Sequence, residues 1–189
     1  MGKMFLMCGM SGAGKTTFAK KFAEENGYTY LGIDDIYEWY KHIPIQCGNG
    51  KVRYQNHDEN VYEDAHASFI VWLEFFRRIH FIEQRGENVD IDTNAPTFVK
   101  RAQFIDWFPT FNEHNLIYIA AGHDLRRRNN AARSRVVPDD EMECMEQEFK
   151  APVAFWDGRA TILEPEWDNV KVYLNEDNNL REIPVCNYK

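Results

Sequence analysis

The sequence predicts an α/β fold in which a central parallel sheet of about five strands carries helices on both faces. Three observations lead to this prediction. Apolar segments of strand length alternate with segments whose apolar residues recur at helical spacing. Residues 115–121 are apolar throughout, as is typical of a parallel strand covered on both faces. A glycine-rich loop joins the first predicted strand, 4–8, to the first predicted helix.

That loop, GMSGAGKT at residues 9–16, fits the pattern G-x-x-x-x-G-K-[ST] without a mismatch. Glycines permit the tight turn that points backbone N–H groups at a phosphate, and the helix N-terminus that follows favours an anion. Lys15 is expected to reach the terminal phosphates, and Thr16 to bind Mg²⁺. We therefore predict that the chain binds ATP or another nucleoside triphosphate, with Mg²⁺, through the residues Gly9, Ser11, Gly12, Ala13, Gly14, Lys15, Thr16 and Thr17.

The remaining strands are predicted at 28–33, 87–92, 115–121 and 169–174. A helical turn is expected over 36–40, and the pair Asn49-Gly50 is suited to closing a small hairpin. A long helix is expected to begin at Asp58 or Asn60 and to end at Arg85-Gly86. Its predicted buried stripe consists of Val61, Ala65, Phe69, Trp72, Phe76 and Ile79.

Two later helices are also expected. Pro96 precedes a helix whose predicted buried side consists of Phe98, Ala102, Ile105 and Trp107 or Phe108, and Pro138 opens a helix with an acidic first turn. The last dozen residues are polar, and no element is predicted there.

Composition limits the class of protein. The 189 residues suit one domain, 1–189, and the net charge of −8 argues against broad non-specific binding to a polyanion. The sequence has no apolar segment of membrane-spanning length, no signal-peptide pattern and no C-x-x-C pair among its four cysteines. We expect a cytoplasmic protein with no membrane partner, and the oligomeric state is left open.

Two features next to the loop suggest phosphoryl transfer. Asp34 and Asp35 follow the second predicted strand, and one such carboxylate is positioned to take the proton from an acceptor hydroxyl. The alternative is that both residues cap the following helix. Five arginines lie between His123 and Arg135, where mobile guanidinium groups would stabilise the transferred phosphoryl group; the alternative is a solvated basic face.

The sequence resembles the kinase module of phage-type 5′-polynucleotide kinases, within the single-domain P-loop kinases that include zeta-toxin-like enzymes. The matching segments are residues 9–16, 33–35, 85–89, 90–94 and 130–139. The resemblance implies a three-layer P-loop NTPase kinase fold with an arginine-rich helical lid over about 123–137. It also implies transfer of the γ-phosphate of ATP to a hydroxyl.

The resemblance assigns roles residue by residue. Asp34 matches the general base, although a shift of one residue would give that role to Asp35. Asp92 matches the acid of the Asp-Thr-Asn motif and is expected to join Thr16 at Mg²⁺. Arg133 matches the lid arginine that contacts the donor phosphates. Apart from the resemblance, Arg126 and Arg128 are weaker candidates for the same contact, because positions two apart on a helix point to different faces.

The acceptor is less well defined. Family members carry an arginine for the acceptor phosphate three residues after the general base, and here that position is Tyr37. The leading prediction is a 5′-hydroxyl of a polynucleotide or a modified nucleotide; the first alternative is a small-molecule kinase for a nucleoside, nucleotide or sugar. A non-catalytic nucleotide switch is the second alternative. Four aromatic residues are expected either to stack an acceptor base or to pack under the lid: Tyr37, Trp39, Tyr40 and Tyr54.

Overall fold

The computed structural model describes residues 1–46, 52–54, 65–133 and 135–186. Six helices lie within these ranges: α1 Lys15–Asn26, α2 Ile33–Lys41, α3 Ala65–Gln84, α4 Phe98–Trp107, α5 His123–Ala131 and α6 Asp139–Glu148. The strands are β1 Lys3–Cys8, β2 Thr29–Gly32, β3 Pro44–Gln46, β4 Val52–Tyr54, β5 Val89–Asp92, β6 Glu113–Ala121, β7 Val153–Trp156, β8 Arg159–Ile162, β9 Asn169–Glu176, β10 Asn179–Ile183 and β11 Val185–Cys186.

The central sheet has the strand order β10-β9-β6-β1-β5-β2. The five strands from β9 to β2 are parallel, and β10 pairs antiparallel with β9 at one edge. The alternating side chains of β1 enter two separate apolar layers. Met4 and Leu6 join the large core cluster that contains the buried face of α3, whereas Phe5 and Met7 pack with Ala19 of α1. The predicted parallel sheet with helices on both faces is confirmed.

The buried stripe of the long helix α3 agrees with the predicted one only in part. Ala67, Val71, Phe75 and Ile79 are fully buried, whereas Phe69 is 67% exposed. Of the predicted residues, Ile79 is therefore confirmed, and Trp72 and Phe76 are partly buried against the core. The predicted cap residues Asp58 and Asn60, and Val61, lie outside the described residues, as does the Asn49-Gly50 turn between the paired strands β3 and β4.

Helix α4 also differs from its predicted pattern, because its buried side is formed by Arg101, Phe104 and Phe108. Phe98 and Trp107, which were predicted to be buried, are 40% and 50% exposed. Arg101 is completely buried, and apolar periodicity gives no weight to such a residue. The buried face of the helix was therefore predicted only in part, since Phe108 is buried as one of the two predicted alternatives and Ile105 is partly buried against the core.

Arg101 is buried because it is fully paired. Its Nε lies 3.0 and 3.1 Å from the two carboxylate oxygens of Glu164, its Nη1 donates to Ala95 O at 2.8 Å, and its Nη2 donates to Lys150 O at 2.7 Å. Glu164 also accepts a hydrogen bond from Trp167 Nε1. The cluster therefore joins α4 to the segments that precede β7 and β9.

Two further elements differ from the predictions. The carboxylates Asp34 and Asp35 lie in the first turn of α2 and not at the end of a strand. In this first turn their negative charges interact favourably with the helix dipole. The C-terminal region, for which no element was predicted, contains β10 and β11, and β7 and β8 form an additional hairpin. No helix in the described ranges is long and apolar enough to cross a membrane.

One buried acid in the sheet has no partner. Asp90 of β5 is fully buried, and neither of its carboxylate oxygens has a hydrogen-bond partner among the described residues. Burial, assisted by the negative charge of Asp92, raises the pKa of Asp90 to about 8. The folded protein therefore holds a proton there that the unfolded chain, with an aspartate pKa of about 3.9, releases.

Removal of one partner of the Arg101–Glu164 pair should destabilise the fold strongly. Glu164→Gln leaves a buried guanidinium without its counter-charge, and we expect the free energy of unfolding to fall by about 3–5 kcal/mol. The matched control is Glu148→Gln, which breaks the exposed pair that Glu148 forms with Lys100 of the same helix α4 and should cost at most about 1 kcal/mol. Urea unfolding measures both, and equal losses would contradict the assigned importance of the buried pair.

Asp90 should make stability depend on pH. Because its pKa is higher in the folded than in the unfolded state, its contribution to stability is complete below about pH 4 and is lost as the pH rises towards 8. In Asp90→Asn, which cannot ionise, the free energy of unfolding should fall less between pH 5 and pH 8 than in the unaltered chain. Urea unfolding without divalent ions tests this, with the exposed Asp106→Asn as control; parallel profiles for Asp90→Asn and the unaltered chain would contradict it.

Candidate active site

The glycine loop has the backbone conformation that its sequence predicts. Gly9, Gly12 and Gly14 all have positive φ, and Gly14 precedes the first residue of α1. A Cβ at Gly12 would lie 2.3 Å from the backbone oxygen of Arg126, so no side chain fits there. The loop is therefore pressed against α5, with its N–H groups and the amino end of α1 available to an anion.

Lys15 folds back over this loop. Its Nζ donates to Met10 O at 3.0 Å. Burial lowers the pKa of Lys15, and the nearby Asp92 carboxylate opposes that shift by favouring the charged form. A bound phosphate would supply a second negative partner, so the ammonium group is placed to exchange a carbonyl for a phosphate oxygen.

Thr16 and Asp92 form the candidate metal site. Thr16 Oγ1 donates to Asp92 Oδ2 at 2.6 Å, and Tyr30 OH approaches the same oxygen at 3.3 Å. Burial and the negative charge of Asp92 raise the pKa of Tyr30, which keeps its hydroxyl a proton donor. A hydroxyl and a carboxylate at the edge of a phosphate site are oxygen ligands that suit Mg²⁺, which takes few protein ligands besides phosphate and water.

Asp34 and Asp35 face different surroundings, because consecutive helical residues point about 100° apart. Asp34 lines the cleft in front of the loop, and its Oδ2 lies 3.5 Å from Arg133 Nη2. Asp35 lies 3.7 Å from Lys20 of α1 and is not among the residues that line the cleft. The geometry therefore favours Asp34 over Asp35 as a base that meets an acceptor in this cleft.

Arg133 is the lid residue that the structure brings to the phosphate loop. Its Nη1 lies 3.4 Å from Ser11 Oγ, while its Nη2 faces Asp34. One guanidinium thus lies between the loop, where donor phosphates would bind, and the candidate base. This position is the one expected for a cation that stabilises the transferred phosphoryl group.

Other arginines of the lid are engaged elsewhere. Arg126 is buried, donates to Glu146 at 2.7 Å and to Ala121 O, and does not line the cleft, so the geometry does not support the predicted contact between Arg126 and donor phosphates. Arg127 pairs with Asp139 at 2.5 Å, and Arg128 pairs with Asp177 at 2.5 Å. Acids of α6 and of the turn after β9 thus neutralise much of the basic segment.

Of the four aromatic residues proposed for stacking an acceptor base, the three whose side chains are described do not line the cleft. Tyr37 is buried and its hydroxyl donates to Ser68 Oγ of α3 at 3.1 Å. Tyr40 is buried in the core, and the ring of Trp39 lies under Arg78 of α3. These three residues pack α2 against α3, and the side chain of Tyr54 lies outside the description.

Sequence reasoning missed two asparagines that support the loop. Asn129 Nδ2 of α5 donates to Gly12 O at 2.9 Å, and Asn175 Nδ2 of β9 donates to Ala13 O at 2.9 Å. Asn175 lies one residue beyond the predicted strand 169–174, at the edge of the sheet where the ligand of such a fold binds. Its place directly after the predicted strand was the signal from which sequence reasoning could have identified Asn175 as a site residue.

Together these residues line a cleft of about 1070 Å³. This volume lies at the upper end of the roughly 300–1,000 Å³ that is typical of small-ligand sites. Besides the loop, Asn129 and Asn175, the lining includes Asp34, Asp92, Thr93, Asn94, Arg135 and Glu141.

The family assignment agrees with this geometry. Residues 4–152 match the family described as AAA domain. The chain belongs to this family. The match begins at β1 and extends through α6, so it covers the phosphate loop, Asp34, Asp92 and the lid. A family of this type implies a nucleoside triphosphate as ligand. A comparison with curated proteins gave no match.

Solved structures with the same fold include kinases. A sugar kinase from Janibacter sp. HTCC2649 aligns with a TM-score of 0.58 at 14% identity, covering 91% of this chain and 86% of that chain. A structure from Chloroflexus aurantiacus gives a TM-score of 0.62 at 14% identity, with coverage of 92% and 85%. A chain of the Pnkp1/Rnl/Hen1 RNA repair complex gives 0.60 at 13% identity, covering 78% of this chain and 44% of that chain. At these identities the similarity shows a P-loop kinase-type fold.

Arg133→Ala should chiefly lower kcat, because it removes a cation that acts on the developing charge. We expect a loss of about 10²–10³-fold in ATP turnover. Arg127→Ala, on the same lid but paired with Asp139 outside the cleft, is the matched control and should change kcat by no more than about two-fold. An unchanged kcat in Arg133→Ala, together with a flatter salt dependence of oligonucleotide binding, would instead make this segment a docking surface.

Proposed function

We propose that this protein is an ATP-dependent kinase that transfers the γ-phosphoryl group to a hydroxyl of a nucleic-acid end or a nucleotide-like acceptor. The observation that carries the proposal is the position of Asp34. Its carboxylate lines the same cleft as the phosphate loop and faces Arg133, which in turn contacts Ser11 of that loop. A base, a cation and a phosphate site in one cleft are the parts that phosphoryl transfer needs.

The proposed reaction uses each part once. Asp34 accepts the proton of the acceptor hydroxyl, whose oxygen attacks the γ-phosphorus while the bond from that phosphorus to the bridging oxygen of ADP breaks. Lys15 and Arg133 stabilise the negative charge on the transferred group. Thr16 and Asp92 would hold Mg²⁺, which when bound neutralises charge on the donor phosphates.

A 5′-hydroxyl of a polynucleotide, or a modified nucleotide in DNA or RNA, is the leading acceptor. The order of the matching segments, from the glycine loop through Asp92-Thr93-Asn94 to the lid, supports this choice. Thr93 and Asn94 line the cleft together with Asp92, and Arg135 belongs to the lining of the same cleft. An acceptor that carries a phosphate next to its hydroxyl has a candidate partner there.

A small-molecule acceptor is the second candidate, and two observations favour it. Tyr37 occupies the position of the acceptor-binding arginine and is turned into the core, and Arg126, Arg127 and Arg128 are paired with acids. Fewer positively charged side chains are therefore available to bind the phosphates of a long polyanion. A nucleoside, nucleotide or sugar that presents one hydroxyl to Asp34 would not need that grip.

ATP turnover separates these proposals. ADP release is measured with Mg²⁺ and each acceptor in turn: a 5′-hydroxyl oligonucleotide, the same oligonucleotide with a 5′-phosphate, a nucleoside 3′-phosphate, a nucleoside and a panel of sugars. Turnover with only the 5′-hydroxyl oligonucleotide supports the leading proposal, and turnover with a monomer alone supports the second. Nucleotide binding without turnover on any acceptor would support the non-catalytic switch.

Asp34→Asn should lower kcat by about two to four orders of magnitude with the active acceptor, because a base acts on the acceptor. The affinity for ATP should change little. Asp35→Asn is the matched control, since Asp35 has the same charge one residue away but faces Lys20. If only Asp35→Asn loses activity, the base is Asp35; if neither does, the kinase mechanism proposed above is wrong.

A further inference from the structure

Tyr30 makes a contact with the candidate metal site that the proposed reaction does not use. It lies on β2, and its side chain does not line the cleft. Its hydroxyl nevertheless donates to Asp92 Oδ2 at 3.3 Å, the same oxygen that accepts a hydrogen bond from Thr16 Oγ1 at 2.6 Å. Tyr30 therefore acts on the metal site through the carboxylate of Asp92.

The sheet register explains how the hydroxyl reaches that carboxylate. Gly32 of β2 is the register partner of Asp92 on β5, and Tyr30 is the partner of Asp90. Because residues two apart on a strand share a face, Tyr30 and Asp92 are diagonal neighbours on one face of the sheet.

Gly32 provides the space for this contact. A Cβ at Gly32 would lie 2.3 Å from the hydroxyl oxygen of Tyr30 and 2.9 Å from its Cζ. The backbone of Gly32 is extended, with φ −100° and ψ 135°, a conformation that any residue adopts. The glycine is therefore needed for the phenol group that lies over it, which reaches across to Asp92.

The ring of Tyr30 is held in place by its neighbours. It packs against the apolar cluster that contains Phe5, Met7 and Ala19 of α1. Lys20 Nζ, on the same helix, lies 5.1 Å from the centroid of the ring. A hydroxyl on a ring fixed in this way is a firm support for the side chain that it contacts.

Two donors on one oxygen of Asp92 leave the other oxygen for a ligand. Asp92 Oδ1 has no hydrogen-bond partner among the described residues, but it is not closed off from solvent as both carboxylate oxygens of Asp90 are. Asp92 also lines the cleft. Oδ1 is therefore the oxygen that remains for Mg²⁺ or for a water bound to it.

On the basis of the kinase function above, we propose that Tyr30 is a positioning residue of the magnesium site. Its hydroxyl holds Asp92 Oδ2, so that the carboxylate stays in the orientation that leaves Oδ1 to the metal. Loss of such an outer hydrogen bond typically weakens metal binding by about 10–100-fold. Since Tyr30 does not line the cleft, its effect is confined to the metal-dependent part of nucleotide binding.

The test is Tyr30→Phe, which keeps the ring and removes the hydroxyl. Titration calorimetry gives the affinity for ADP with Mg²⁺ and with EDTA, and the ratio of the two affinities measures the contribution of the metal. We expect this ratio to fall about ten-fold, or to one, while the affinity in EDTA is unchanged. An unchanged ratio would overturn the proposal. Equal losses with Mg²⁺ and with EDTA would also overturn it, because they indicate a structural role only.

Tyr28→Phe is the matched control. Tyr28 immediately precedes β2, and its ring stacks on that of Phe5 with the centroids 5.2 Å apart. In the part of the chain that the structure describes, its hydroxyl has no hydrogen-bond partner. The ratio should therefore equal that of the unaltered protein. A loss as large as that in Tyr30→Phe would contradict the role assigned to the contact with Asp92.

The unaltered protein separates this inference from the proposed function. If Mg²⁺ strengthens ADP binding and Tyr30→Phe shows the same gain, only the role of Tyr30 is wrong. Equal ADP affinities with Mg²⁺ and with EDTA in the unaltered protein would contradict the metal site assigned to Thr16 and Asp92, and the role of Tyr30 with it. Failure of ADP to bind under either condition would contradict the kinase function itself.

Discussion

Met7 of β1 and Asp92 of β5 are register partners in the parallel sheet, and the arrangement of the cleft depends on that pairing. Parallel strands release their connections at the same edge, so the loop that leaves β1 emerges next to the carboxylate that ends β5. Thr16, in the first turn of the helix that follows the loop, thereby reaches Asp92 at 2.6 Å. On its other side β1 pairs with β6. Helix α5, which follows β6, therefore packs against the loop at Gly12.

Ion pairs between helices α5 and α6 determine which arginine side chains remain available to the cleft. Helix α5 is basic and helix α6 has an acidic first turn. The two helices neutralise each other through Arg126–Glu146 and Arg127–Asp139, although neither sequence segment alone indicates this. Arg133 lies beyond the end of α5 and faces Asp34 and Ser11. A basic segment of an acidic protein thus serves mainly to hold a lid together and presents few cations to a ligand.

The sequence was sufficient for the parallel strands and the phosphate loop, because these depend on local patterns and on one motif. It was insufficient where burial depends on partners distant in the chain. Arg101 is in the core only because Glu164 meets it there, 63 residues later, and Phe69 is exposed although its size favoured the core. Tyr37 illustrates the same limit, since its side chain is buried with its hydroxyl hydrogen-bonded to Ser68 of α3.

Asp90 and Asp92 lie on one face of β5, but they differ in burial and in hydrogen bonding. Asp92 lies at the edge, where the hydroxyl groups of Thr16 and Tyr30 point at one of its oxygens. Asp90, two residues earlier, is buried without a partner, and burial raises its pKa to about 8. Near neutral pH Asp90 retains its proton, which avoids a charged group in these low-dielectric surroundings. The strand therefore presents the carboxyl group of Asp92, and not that of Asp90, to the cleft beside the phosphate loop.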